Sequence, residues 1–217
     1  MALTLRIHEI YQSIQGESTL AGTPCTFIRL AGCPLRCRDC DTPQALATDS
    51  GKTYTIEAIL KTIAPLTHQS ILVTGGEPLA QKNSIALLEA LGSITQHLQL
   101  ETSGAYAIDH IPPHVQIILD IKTPESGESQ KNRWHNLEIL KATDEIKCVI
   151  YNRADYQWCK AIIGQYKLDQ RHTVLLSPAW NALDPKDLVT WILEDELKVR
   201  LQIQQHKYIW DEGTTGV

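Results

Sequence analysis

Apolar and polar positions alternate with a period of two from Leu5 to Tyr11, which predicts a strand with one buried face. Cys25 to Leu30 predicts a second strand, entered through the turn Gly22-Thr23-Pro24. Ile56, Ile59, Leu60 and Ile63 recur at helical spacing, with Thr55 placed to cap them. Ser70 to Thr74 reads as a short buried strand ending in Gly75-Gly76. A helix carrying Ile85, Leu87, Leu88 and Leu91 starts at Asn83 or Ser84 and closes at Gly92. Leu98 to Thr102 and Gln116 to Ile121 are further strands. Lys131 to Lys141 reads as helix, Glu145 to Ile150 as strand, Ala154 to Lys167 as helix and Thr173 to Leu176 as strand. Asp184-Pro185 opens a helix that runs to about Leu197. Val199 to Gln205 is a last alternating strand. Residues 33–53, rich in Cys, Pro, Thr, Asp and Gly, read as a functional loop.

Strand and helix alternate at least five times, which predicts parallel pairing with right-handed crossover helices. An open doubly wound sheet and a partial (β/α) barrel both satisfy this pattern. A complete eight-fold barrel takes about 250 residues, and the chain has 217. We expect one domain over residues 1–217, with about six βα units. In either architecture the working residues belong at the carboxyl ends of strands. Cys33, Gly75, the stretch Glu101 to Gly104, Lys122 and Ser177 all fall at such ends.

Hydrophobic residues make up 43% of the chain and charged residues 21%, which excludes wholesale disorder. No apolar run approaches the roughly 18 residues of a membrane span. The net charge of -5, with no basic run, argues against nucleic acid as a partner. Polar residues interrupt the amino-terminal segment Met1 to Glu9, so it does not read as a signal peptide. A cytoplasmic location, where thiols stay reduced, is therefore expected.

Three of the six cysteines fall within eight residues, at Cys33, Cys37 and Cys40. In a reducing compartment such a cluster points to metal rather than to disulfides. Three thiolates on one loop suit three irons of a [4Fe–4S] cubane and leave the fourth iron open to another ligand. A zinc site completed by Cys25 or a histidine, or a disulfide within the trio, would also use these residues. Cys148 shares a strand face with Ile146 and Ile150 and reads as a core residue. Cys159 reads as structural too.

The spacing Cys-x3-Cys-x2-Cys resembles the signature of the radical S-adenosylmethionine (SAM) superfamily. The resemblance implies a cluster on Cys33, Cys37 and Cys40 whose open iron SAM chelates. Asp39 stands where that superfamily usually carries an aromatic residue beside adenine, which leaves only its backbone for the contact. Thr74-Gly75-Gly76-Glu77-Pro78 resembles the superfamily's second motif. The likeness implies that Gly75, Gly76 and Glu77 meet the methionine amino group. From the residues alone, a tight turn would explain the same glycines.

Gln15 and Glu17 flank Gly16 just after the first strand, where an amide and a carboxylate can pair with a pterin-like heterocycle. A polar loop capping itself is the plainer reading. Arg29, between Ile28 and Leu30, is either solvated or a carboxylate clamp. Asp41-Thr42 offers oxygens that suit Mg²⁺.

Glu9 to Ser18, Phe27 to Cys33, Cys40-Asp41-Thr42, Gly75 to Pro78, Glu101 to Gly104 and Gln205-His206-Lys207 together resemble the 7-carboxy-7-deazaguanine synthase family of radical SAM enzymes. The resemblance implies a partial (β/α) barrel, a homodimer and a flavodoxin- or ferredoxin-type reductant. The implied substrate is 6-carboxy-5,6,7,8-tetrahydropterin, contracted with loss of ammonia to a 7-deazapurine on the queuosine route. Ile14, Gln15, Gly16, Glu17, Arg29 and Thr102 would meet the substrate, and Thr42 would hold Mg²⁺. Gly104, Lys122, Ser177 and Pro178 would join Asp39 and the Gly-Gly-Glu turn around SAM. Where relatives carry Ser-Pro-Lys this chain has Asp120-Ile121-Lys122, so only Lys122 matches. His206 reads equally as a pocket, solvated or core residue, and the tail from Trp210 is assigned nothing. A small radical SAM activase of partner proteins, or a non-catalytic iron–sulfur or zinc module, would share the cysteine loop. An activase does not need Gln15, Gly16, Glu17 and Thr102, and a module would bind no SAM and have no use for Gly75, Gly76 and Glu77.

Overall fold

In the computed structural model, which describes residues 2–66, 69–211 and 213–217, the alternation resolves into one nine-stranded sheet. Its strands are β1 (Thr4–Ile14), β2 (Pro24–Leu30), β3 (Lys52–Thr55), β4 (Ser70–Gly75), β5 (His97–Thr102), β6 (Gln116–Asp120), β7 (Glu145–Ile150), β8 (Thr173–Pro178) and β9 (Arg200–Leu201). They lie in the order β3-β1-β2-β4-β5-β6-β7-β8-β9. From β2 to β9 every pairing is parallel, whereas β1 runs antiparallel to both β2 and β3. This open, mostly parallel sheet is the partial-barrel arrangement expected from the sequence. Met1 and Glu212, which entered the readings of the two ends, lie outside the described residues.

The helices are α1 (Ile56–Ile63), α2 (Ser84–Leu91), α3 (Asn136–Ile139), α4 (Arg153–Tyr166), α5 (Pro185–Glu194) and α6 (His206–Ile209). Thr55 caps α1 by accepting the Ala58 N–H at 3.1 Å, and Asp184 caps α5 by accepting from Lys186 at 2.9 Å. Asn83 precedes α2 but spends its side chain on the Thr4 carbonyl instead of capping. Gly92 ends α2 in right-handed geometry. A Cβ there would lie 2.1 Å from His114 Nε2, so a larger residue would require that imidazole to move. No described helix is long and apolar enough to cross a membrane.

Strand alternation sorts the core. Ile28 and Leu30, Ile71 and Val73, and Leu98 and Leu100 face α1 and α2. Ile117 and Leu119, Ile146, Cys148 and Ile150, and Val174 and Leu176 face α4 and α5. The intervening residues form the opposite, concave face. There Cys25, Phe27, Leu72 and Ile118 make a small apolar cluster.

Three expectations need correction. The stretch Lys131 to Lys141 is not a helix, but a 3-10 turn at Ser129–Lys131 followed by the single turn α3. Its asparagines are drawn to neighbouring loops. Asn132 grips both backbone groups of Lys122, and Asn136 donates to the Gly104 and Tyr106 carbonyls. Side-chain bonds of this kind compete with helix formation. Val199 to Gln205 keeps only two strand residues, with its alternation inverted. Leu201 and Ile203 are exposed, while Gln202 and Gln204 are buried. Residues 33–53 are not all loop, since two 3-10 turns at Pro43–Ala45 and Thr48–Ser50 lead into β3 at Lys52.

Candidate active site

The six parallel strands β2 and β4 to β8 each present a polar residue on the concave face, near the carboxyl end in all but β7, where it is mid-strand. These are Arg29 on β2, Thr74 on β4, Glu101 on β5, Asp120 on β6, Lys147 on β7 and Ser177 on β8. Period-two alternation puts them there, opposite the aliphatic residues that bind the helices.

The cysteine loop leaves β2 at the same end. Gly32, with φ +94°, turns the chain, and the loop closes on itself as Gly32 and Cys33 donate to the Ala45 and Leu46 carbonyls. Cys33, Cys37 and Cys40 are half-buried free thiols. Among the described residues no three His, Cys, Asp or Glu side chains converge on one point as a single ion needs. In a cubane each thiolate takes its own iron. Burial pushes the Cys37 thiol up to about 11, opposed by the positive charge of Lys122. Burial also raises Cys33 and Cys40, against backbone N–H groups of Leu35 and Thr42 that point at their sulfurs. Such N–H donors and a nearby cation are what cluster-bound thiolates use, so the residues fit the group.

Gly75 and Gly76 underlie this loop. A Cβ on Gly75, at φ +146°, would stand 2.3 Å from the Leu30 carbonyl oxygen, and one on Gly76 would stand 2.4 Å from that of Gly32. Both glycines are therefore demanded by the close approach of β4 to the base of the cysteine loop. Glu77, fully buried, turns inward rather than outward. Its carboxylate accepts the Leu79 and Ser103 N–H groups at 2.9 and 2.7 Å and the Thr102 and Ser103 hydroxyls at 2.8 and 2.5 Å. It thus ties the turn after β4 to the end of β5, and the Thr102 hydroxyl proton is spent on it. Gly104, at φ +72°, follows, its carbonyl held by Arg133 and Asn136.

The Gln15–Thr23 loop lies at the opposite, amino-terminal end of the parallel strands, because β1 is antiparallel. It closes the concave face from below. Gln15 donates to Gln99 at 3.1 Å, Gln99 to Gln116 at 3.0 Å, and Gln116 to Glu145 at 3.0 Å. Glu145, pushed up by burial against the bonds from Thr19, accepts the Thr19 N–H and hydroxyl and completes a polar floor. Glu17 accepts from Lys147 at 2.5 Å and from Gln204 at 2.8 Å. The side chains of Gln15 and Glu17 are thus built into the floor. Gly16 lies under His206, where a Cβ would come within 2.3 Å of Nδ1, and its carbonyl accepts the Gln205 N–H. The structure so places His206 against the loop. Ile14 ends β1 beside it.

Arg29 is not solvated. Its guanidinium donates to Glu9 at 2.8 Å, to the Tyr11 hydroxyl at 2.9 Å and to Thr42 at 3.3 Å. Thr42 in turn donates to Asp41 at 3.0 Å. Surrounding protein opposes ionisation of Asp41, but Lys147, Lys207, Arg29 and His206 outweigh it and hold the carboxyl at about 2. These oxygens beside a guanidinium fit a hard cation carrying a carboxylate ligand.

Around the mouth, the Ser177 hydroxyl is fully buried without a partner, and so is Asp120 Oδ1, among the described residues. Orphans of this kind are what a polyhydroxylated ligand satisfies. Lys122 pairs with Asp120 at 3.0 Å, and this pairing outweighs burial and keeps it protonated. Pro178 follows Ser177 at the end of β8. Asp39 is exposed at the rim, 4.0 Å from Arg38. Cys148 and Cys159 are core residues, as expected.

Sequence reasoning missed Lys147, Asn132, Asn136, Gln99 and Gln204. The one available signal was a polar residue at an inward position of an otherwise aliphatic strand, as in Ile146-Lys147-Cys148 and Leu98-Gln99-Leu100.

Residues 15–135 match the family model described as a 4Fe-4S single cluster domain. The chain is 40% identical to the 7-carboxy-7-deazaguanine synthase of Chlorobaculum tepidum, over 98% of this chain and 97% of that protein. It is 38% identical to the enzyme of that name from Koribacter versatilis, over 98% and 100%. Among solved structures, QueE from Escherichia coli superposes with a TM-score of 0.78 at 23% identity, covering 94% of this chain and 95% of that one. SuiB of Streptococcus suis gives 0.54 over 85% of this chain and 51% of its own.

Proposed function

Because the chain belongs to the 7-carboxy-7-deazaguanine synthase family of radical SAM enzymes, we propose a division of labour among its residues for that reaction. The enzyme contracts 6-carboxy-5,6,7,8-tetrahydropterin to 7-carboxy-7-deazaguanine with loss of ammonia. The [4Fe–4S] cluster and SAM, when bound, supply the 5′-deoxyadenosyl radical, so the protein supplies binding, orientation and exclusion of water.

Cys33, Cys37 and Cys40 hold the cluster, with Lys122 moderating the thiolate charge. The turn Gly75-Gly76-Glu77, Gly104, Ser177, Pro178 and the Asp39 backbone bind SAM. The exposed tip of Asp39 and the inward carboxylate of Glu77 favour backbone contacts at both places. Substrate lies between this mouth and the polar floor, against Ile14, Gln15, Gly16, Glu17 and Thr102. Arg29 pairs with its carboxylate, and Thr42 would hold Mg²⁺. The ion would supply Lewis-acid polarisation of that carboxylate, which the guanidinium orients. The observation that carries the reading is the hydrogen-bonded Arg29–Thr42–Asp41 group, set directly after Cys40 in the chain.

The enzyme acts as one domain and as a homodimer in the cytoplasm, and takes electrons from a flavodoxin or ferredoxin. A Mg²⁺ titration tests the central assignment. Thr42→Ala should need about tenfold more Mg²⁺ for half-maximal turnover, and Arg29→Lys should raise the KM for substrate without altering SAM affinity. An unchanged Mg²⁺ requirement in Thr42→Ala would remove the ion from this position.

A further inference from the structure

The buried ammonium of Lys147 joins the polar floor to the ends of β5 and β6. It sits in the middle of β7, between Ile146 and Cys148, with a side chain only 5% exposed. Nζ lies 2.5 Å from Glu17, 2.7 Å from Glu101 and 3.5 Å from Asp120. These carboxylates come from three separate places: the loop after β1, the end of β5 and the end of β6. A buried ammonium has three donors and needs them all engaged. Here two hydrogen bonds and one longer ion pair tie the ammonium to three different elements.

Two residues earlier on the same strand face, Glu145 accepts both the N–H and the hydroxyl of Thr19. Lys147 and Glu145 are spaced i, i+2, and so are Glu17 and Thr19, so β7 sets the register of the loop with two side chains. Glu17 has one further partner, the Gln204 amide. Both carboxylate oxygens of Glu17 are therefore engaged, one by Lys147 and the other by Gln204, and these two partners set its orientation.

We propose that Lys147 is a positioning residue for substrate. It orients the Glu17 carboxylate and, together with Glu145, fixes the height and register of the Gln15–Ser18 loop against the bound heterocycle. The inference rests on the reading that this loop meets substrate, and goes beyond it by naming what holds the loop. Lys147 makes its effect through Glu17 and not by contact with the reacting atoms.

The test uses the reconstituted full-length enzyme and four readouts: iron content, SAM affinity by direct titration, melting temperature, and KM and kcat for 6-carboxytetrahydropterin. Lys147→Arg keeps the charge, but a planar fork cannot meet three carboxylates in the directions an ammonium can. Glu101→Gln removes one of the three partners and serves should the arginine variant fail to fold. Both should keep iron and SAM affinity, raise KM about tenfold or more, and release more 5′-deoxyadenosine per product. Glu17→Gln should raise KM similarly. If Glu17→Gln raises KM while Lys147→Arg and Glu101→Gln only lower the melting temperature, Lys147 is merely structural and the proposal falls. If Glu17→Gln also leaves KM unchanged, the reading of the loop as a substrate contact fails with it.

Discussion

The Thr102 hydroxyl donates to Glu77 at 2.8 Å, joining the ends of two neighbouring strands through a carboxylate that is fully buried. Both residues belong to motifs that sequence reading assigned to ligands, and the structure gives them to each other first. Removing the carboxylate strands the Leu79 and Ser103 N–H groups and two hydroxyls. Glu77→Ala should cost roughly 3–5 kcal/mol in unfolding free energy and loosen SAM binding. Glu77→Gln, which can still accept, should cost less. Equilibrium denaturation of the two variants checks the order.

Gly76→Ala should damage cluster loading rather than SAM contact alone. Its Cβ would stand 2.4 Å from the Gly32 carbonyl and 2.9 Å from that of Ala45, both rigid backbone beneath the cysteine loop. Relief requires moving that loop, at a cost of about 1–3 kcal/mol. Iron per chain after reconstitution should fall. Full iron content with weakened SAM affinity would instead give this glycine to the ligand.

Why these pairings escaped the sequence is a matter of address. Ser70 to Thr74 and Gln116 to Ile121 were legible as strands, and strand alternation decides which of their side chains face the helices. The same alternation puts Lys147, Glu101 and Asp120 on one concave face, but which charge meets which depends on strand order and register. Those come from long-range pairing. The direction of β1 mattered equally. Its antiparallel pairing with β2 carries Gln15 and Glu17 to the amino-terminal end of the sheet, and a local motif cannot report that. The cysteine loop was legible because its three ligands are local. The strand Val199 to Gln205 misled because its polar residues face inward, with Gln204 committed to Glu17.

Cysteines outside the loop should be dispensable for the cluster. Cys148 and Cys159 pack among Ile146, Ile150 and Ile163 in the helix-facing core. Cys148→Ala and Cys159→Ala should each lose about 1 kcal/mol of stability by truncation and keep full iron content. Cys37→Ala should lose the cluster. Iron and sulfide determination on the three variants distinguishes them.

Stability should decline on mild acidification through His172. Burial first, then Arg171, hold its pKa below the ordinary 6.5, against the pull of the Lys141 carbonyl and Asp144. The folded protein therefore binds this proton less readily than the unfolded chain. Above 6.5 the group has no effect, and as pH falls through 6.5 toward the folded value it destabilises the fold. Denaturant midpoints between about pH 7.5 and pH 5 should show a steeper decline in the native protein than in His172→Gln. Equal slopes would remove His172 from the account.

The most direct measurement is anaerobic turnover of the reconstituted protein with SAM, Mg²⁺, a strong reductant and 6-carboxytetrahydropterin, products followed by mass spectrometry. The expected products are 7-carboxy-7-deazaguanine and ammonia, absent in Cys37→Ala. Cleavage of SAM to 5′-deoxyadenosine with the pterin left intact would contradict the substrate assignment, and a protein that never binds SAM on a reducible cluster would contradict the chemistry itself.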